Sequence, residues 1–303
     1  MFIFISYLNM DYSRLKGKTV FISGFGKNCG KTTFLNFLLS QISGRRAYFS
    51  VGVDGEKNDG LSGALKPRIK SNKGDIFIYR PDLSSPSAGI KIINSYENGR
   101  IFAAKTVRSG FVEISGPSGN YKISDTVSDL RDAGAETVIV DGAFDRLTQV
   151  SSVPASQIFY VCRVSPENLN ETAERISLLF SMSSSPCIKE NMPFFSSPDS
   201  EPQLKGGNLF FPGAFTNEKA ASLPKEADKI FLEDITKVFL DYKKWKELKR
   251  EKKIYFAARI DLTAFVVNLY NIHREVFEQK LEEKKVLEKL IYNPYEYFPL
   301  RRA

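Results

Sequence analysis

Histidine and tryptophan occur once each in this chain of 303 residues, and cysteine three times. A single histidine, His273, cannot build a His-based metal cluster, and it reads as a surface residue. Cys29, Cys162 and Cys187 have no paired spacing, which argues against a disulfide scaffold and a zinc site and reads as a reducing, cytoplasmic compartment. Long apolar runs are missing too. The first ten residues, MFIFISYLNM, are apolar but lack a basic leader and a small-residue cleavage site, so neither a signal peptide nor a membrane span is expected. Met10 is an alternative start. No arrangement of Ser, Cys and His competes as a nucleophile with its base, which disfavours peptide or ester hydrolysis.

What is present suits one large α/β core. The chain is 42% hydrophobic and 13% aromatic, and a single domain over 1–303 is expected, with a short N-terminal extension (1–16) and a helical C-terminal end (about 271–303). A net charge of +8 raises the question of nucleic acid. The one dense basic run, Tyr242 to Lys253, is interrupted by Glu247 and Glu251 at helical spacing, so it reads as a solvated helix face, and neither nucleic acid nor a membrane is an expected partner.

Chemistry concentrates in Thr19 to Thr33, TVFISGFGKNCGKTT. A β-rich apolar run, a Gly-rich turn and an amphipathic segment opened by Lys31-Thr32-Thr33 read as strand, loop and helix. Such a loop turns backbone N–H groups toward a phosphate chain lying at a helix N-terminus, where the helix dipole adds positive charge. Gly26, Lys27, Asn28, Cys29, Gly30, Lys31, Thr32 and Thr33 are thus the candidate nucleotide-binding residues. Lys31 would reach the β- and γ-phosphates, and Thr32 would offer its hydroxyl to Mg2+. The pattern G-x-x-x-x-G-K-[ST] asks for glycine at position 25, where Phe25 stands between Gly24 and Gly26. Either glycine would supply the first turn, in a loop one residue longer or shorter. Lys27 lies one residue away from the place where one NTPase class carries a second, catalytic lysine, and its role stays open.

Acidic residues at strand ends complete the candidate site. Thr137-Val-Ile-Val-Asp141-Gly142 gives an apolar strand with a carboxylate at its tip, suited to orienting Mg2+ through its water shell. Asp54 and Glu56 follow a second strand, Arg46 to Val53, and read either as metal-site residues or as a surface turn. With Lys31, Asp141 and Lys27 as catalytic candidates and Thr32, Asp54, Glu56 and Asp141 as metal candidates, the expected ligands are ATP and Mg2+. The lack of an N-K-x-D segment favours ATP over GTP. Asn58 to Asn72 is either a phosphate-sensing loop or a long connection. Further strands are expected around 75–79, 90–94, 100–107, 157–164, 208–211, 229–232, 253–258 and 262–268. Helices are expected from Asp125 to Ala133, after a Ser124 cap and closed by Gly134, after Ser165-Pro166-Glu167, and from Glu275 to Leu290. Ser183 to Gly207 reads as a flexible surface segment. The alternation of strands and helices fits a doubly wound, mostly parallel sheet of the P-loop NTPase type.

Residues 26–33 (GKNCGKTT), 54–56 (DGE), 66–69 (KPRI) and 140–146 (VDGAFDR) together resemble the P-loop accessory ATPases that reactivate adenosylcobalamin-dependent lysine aminomutases. The resemblance covers Gly17 to about Asn268. It implies an ATP hydrolase that helps a mutase exchange damaged cobalamin, with aminomutase subunits or a second reactivase subunit as partners. Two other readings remain: a small-molecule kinase or ligase of the dethiobiotin-synthetase type, with an acceptor pocket near Lys66 and Gly116, and a nucleotide-gated interaction module with negligible turnover.

Overall fold

Apolar runs too short for helices and too continuous for surface strands form the centre of the molecule. Thr19–Gly24 is buried at every residue, and Val138, Ile139, Val140, Ile158, Phe159 and Val161 are fully inaccessible, as both faces of a parallel sheet require. The computed structural model describes residues 10–26, 28–51, 68–82, 85–117, 122–144, 153, 156–188 and 201–293.

In chain order the first elements are β1 (Thr19–Gly24), α1 (Lys31–Gln41), β2 (Arg46–Ser50), β3 (Ile69–Ser71), β4 (Ile76–Tyr79), β5 (Gly89–Tyr96), β6 (Ile101–Arg108) and β7 (Gly110–Val112). There follow α2 (Lys122–Asp132), β8 (Thr137–Phe144), β9 (Gln157–Val164), α3 (Leu169–Ser183), β10 (Gln203–Lys205), β11 (Asn208–Phe211) and β12 (Phe215–Thr216). The last are α4 (Asn217–Ala221), β13 (Lys229–Leu232), β14 (Val238–Phe239), α5 (Tyr242–Glu251), β15 (Lys253–Phe256), β16 (Asp261–Leu269), α6 (Arg274–Lys280) and β17 (Leu290–Tyr292). Nine strands form one sheet in the order β17-β16-β9-β1-β8-β2-β4-β6-β5. β1 runs parallel to β8 and β9, and β2 parallel to β8 and β4, while β4, β6 and β5 pair antiparallel at the edge. The architecture is therefore α/β, with a large mixed, mostly parallel sheet and helices.

The chain divides into two compact units. The first contains the described residues of 1–163, 266–268 and 291–294. Here α1 buries Phe34, Leu35, Leu38 and Leu39, and the buried Arg46 guanidinium joins its last turn to β4. Arg46 donates to Leu39 O and Ile42 O, and pairs with Asp75 at 2.7 Å. Burial pushes the Asp75 carboxyl above its usual range, outweighing the Asn72 N–H and the Arg46 guanidinium. α2 ends at Asp132, one residue before the expected Ala133, and Gly134 follows with a φ of 98° that lets the chain turn back. The helix begins earlier than expected, so Ser124 lies inside it rather than capping it.

The second unit contains the described residues of 164–265, 269–290 and 295–303. β11, β13 and β15 are parallel, and β10 pairs antiparallel with β11 through Gly206-Gly207, both at positive φ. The end of the stretch expected to be a flexible surface segment is thus a hairpin, because two successive glycines supply the left-handed turn that a two-residue connection needs. α3 buries Ala173, Ile176, Leu179 and Phe180 as expected, but starts at Leu169, one turn after Ser165-Pro166. α5 buries Tyr242, Trp245 and Leu248 at helical spacing and leaves most of its lysines toward solvent, so the basic run is a solvated face. His273 is exposed. The helix expected over 275–290 is broken: α6 ends at Lys280, a 3-10 turn spans Lys284–Lys289, and β17 follows. The apolar residues there, Phe277, Leu281, Val286, Leu290, Ile291 and Tyr292, do not keep one helical stripe, and the β-prone Leu-Ile-Tyr run joins the sheet instead. The C-terminal end is therefore not wholly helical. No helix among the described residues is long and apolar enough to cross a membrane.

Candidate phosphate-binding site

β1 delivers the chain to the site along an unusual path. Its hydrogen-bond ladder continues past the strand, Phe25 N–H donating to Val161 O at 3.2 Å, and the Phe25 ring packs on Tyr160 at 4.4 Å. The loop proper is thereby pushed one residue on. Gly24 is the glycine this path demands, since a Cβ there would lie 2.6 Å from Cys29 Sγ and 2.8 Å from Val161 O. Among the described residues, nothing lies within 4 Å of where a Cβ on Gly26 would be.

The curl is made by left-handed residues. Asn28 has φ 56° and Gly30 φ 100°, bracketing Cys29, which is buried. Asparagine tolerates this conformation better than most residues, and glycine bears no penalty for it. Gly30 is also the residue at which α1 begins, and the first turn of α1 carries no carboxylate to compete with an anion. Lys31 Nζ donates to Gly26 O at 2.9 Å and approaches Cys29 Sγ at 3.6 Å. Its ammonium is thus folded back onto the loop. Thr32 and Thr33 follow in the first turn of the helix.

Asp141 stands on the neighbouring strand. It is paired in register with Ile22 of β1 and Ser50 of β2, is 7% exposed, and its carbonyl accepts from Val51 N at 2.6 Å. β8 does not end at this aspartate as expected but continues to Phe144. The register slips beyond Ile22, with Gly142 at φ 101° as the extra residue, so a β-bulge takes the place of a strand tip. Ser50 N–H donates to Ser115 O and Ser115 N–H to Ile78 O, so the segment around Gly116 lies across the ends of β2 and β4.

The structure therefore gathers Gly24 to Gly26, Asn28 to Thr33 and Asp141 in one compact unit. Lys27, Asp54, Glu56, Lys66 and the 145–146 pair lie outside the described residues, as does most of the loop from Asn58. Among the described residues no group of three or more His, Cys, Asp or Glu could hold a metal ion. Magnesium, which is commonly held by one or two carboxylates with substrate phosphates and water, does not require one.

Asn268 belongs to the site and carries no motif. It comes from β16 and donates to Cys29 O at 2.6 Å, 239 residues away in sequence. Its own oxygen accepts from Asn293 at 2.6 Å. Compared with protein-family models, with curated proteins and with solved structures, the chain matches none.

Proposed function

We propose that this protein is a P-loop ATPase that serves as an accessory, reactivating factor for an adenosylcobalamin-dependent aminomutase. The observation that carries the nucleotide half of this reading is the Lys31 ammonium folded onto Gly26 O beside a left-handed Gly30 that opens α1. A cation parked on a loop carbonyl exchanges a neutral acceptor for anionic phosphate oxygens when triphosphate arrives, and the charge-assisted bond is the stronger of the two. The N–H groups at the start of α1 and its dipole favour the same anion. Thr32 would supply a hydroxyl to Mg2+, and Asp141, with Asp54 and Glu56 as further candidates, would orient the water shell. The metal supplies charge neutralisation across the β- and γ-phosphates. The missing N-K-x-D segment favours adenine as the base. The partner half rests on the four motifs that resemble the lysine-aminomutase reactivases.

In this reading nucleotide state sets the affinity for the mutase, as ordering of loops around the γ-phosphate does in other switch proteins. Calorimetry of mutase binding should give affinities that differ by at least about 1 kcal/mol between a non-hydrolysable triphosphate and the diphosphate. Equal affinities overturn the switch. ATP-dependent phosphorylation of a small metabolite by the protein alone would replace it with the dethiobiotin-synthetase type of chemistry.

A further inference from the structure

The planar peptide joining Cys29 to Gly30 carries the Cys29 carbonyl on one side and the Gly30 N–H on the other. In a trans peptide these point in opposite directions, and no peptide among the described residues is cis. Holding Cys29 O against Asn268 Nδ2 at 2.6 Å therefore turns the Gly30 N–H away from Asn268. The same side chain accounts for the glycine: Asn268 Nδ2 stands 2.7 Å from where a Cβ at position 30 would be. Any other residue there would have to hold a left-handed backbone and push the Asn268 amide aside.

An asparagine amide has a donor end and an acceptor end, and only the donor end can hold a carbonyl. Asn293 makes the choice. Its Nδ2 donates to Asn268 Oδ1 at 2.6 Å, and its own backbone N–H is fixed on Val267 O at 3.0 Å. With its oxygen occupied in this way, Asn268 presents its NH2 group to the loop. All four residues belong to one compact unit.

We infer that Asn268, oriented by Asn293, is a positioning residue for triphosphate binding: it locks the Cys29–Gly30 peptide with the Gly30 N–H directed at the phosphate rather than at the sheet. The phosphate arm of this inference rests on the function proposed above; the locking arm does not. The two are separated by using Cys29 as a reporter, since its side chain is 4% exposed, Cys162 is fully buried and Cys187 can be replaced by serine.

In a Cys187→Ser background, labelling of Cys29 by a disulfide reagent such as DTNB should be at least about tenfold faster in Asn268→Asp, which keeps the shape but loses the donor. Asn293→Ala, which leaves Asn268 in place, should give a smaller acceleration, and none when added to Asn268→Asp. Affinity for a non-hydrolysable ATP analogue with Mg2+ should fall about tenfold in Asn268→Asp, with the far-UV circular dichroism of the free protein unchanged. Unchanged Cys29 labelling in both variants overturns the locking role. Faster labelling with unchanged affinity overturns the aim of the Gly30 N–H at phosphate. Failure of the Cys187→Ser protein itself to bind triphosphate overturns the proposed function and the phosphate arm, while the labelling rates still decide the locking arm.

Discussion

Gly26 and Gly116 have the same side chain and opposite tolerances. A Cβ on Gly116 would stand 1.6 Å from Ser50 O, a backbone atom, whereas one on Gly26 would meet nothing within 4 Å among the described residues. Urea denaturation should therefore show Gly116→Ala losing about 3 kcal/mol and Gly26→Ala less than about 0.5 kcal/mol. Similar losses would mean that the segment around Gly116 can move off β2. The role proposed for Asp141 is tested in the same single-residue way. Asp141→Asn keeps the shape in a buried position between β1 and β2 but removes the charge, so Mg2+-dependent turnover should drop by about a hundredfold or more. Nucleotide affinity should change by less than about tenfold. Full magnesium-dependent hydrolysis in this variant would remove Asp141 from the metal site.

At the level of elements, the buried Arg46–Asp75 pair ties the end of α1 to the start of β4. Asp75→Ala leaves the buried Arg46 guanidinium and the Asn72 N–H without an acceptor, and should cost about 3 kcal/mol or more at neutral pH, measured by denaturant unfolding. The pH dependence has a definite sign. Because burial raises the Asp75 pKa, folding favours its protonated form, and this contribution is present at low pH and lost as the pH rises through the raised value. Relative to Asp75→Asn, the wild-type protein should accordingly gain stability as the pH falls from neutral toward about 4. An opposite slope would mean that the ion pair outweighs burial. Elements of this kind differ in how plainly the sequence announces them. β1, β9, β11 and β13 are largely apolar runs that read plainly as strands, and Asn208–Phe211 and Lys229–Leu232 form strands over the stretches expected. The segment after His273 mixes helical and strand spacing, and only packing decides where one stops. Within the candidate site, glycines, Lys31 and Asp141 announce themselves because the proposed phosphate cradle would need those residue types close together. Asn268 and Asn293 do not, since one amide contact across 239 residues leaves no local period.

At the scale of the whole molecule, a ligand that binds only the folded chain must stabilise it. Mg2+ with a non-hydrolysable triphosphate at about 100 times its Kd should add about 2.7 kcal/mol to wild-type stability and nothing to Lys31→Ala, read from thermal unfolding. A shift of equal size in Lys31→Ala would place the nucleotide elsewhere. The way the loop is held also has a consequence in time. A cradle drawn from residues 24–33 is fastened by Asn268, and that in turn by Asn293. A ribosome that has delivered the loop still needs on the order of tens of seconds, at usual elongation rates, to deliver its two fasteners. A nascent chain consequently presents an unfastened loop for most of its synthesis, and competence to grip a triphosphate should arrive late, together with the closing strands, rather than with the motif itself.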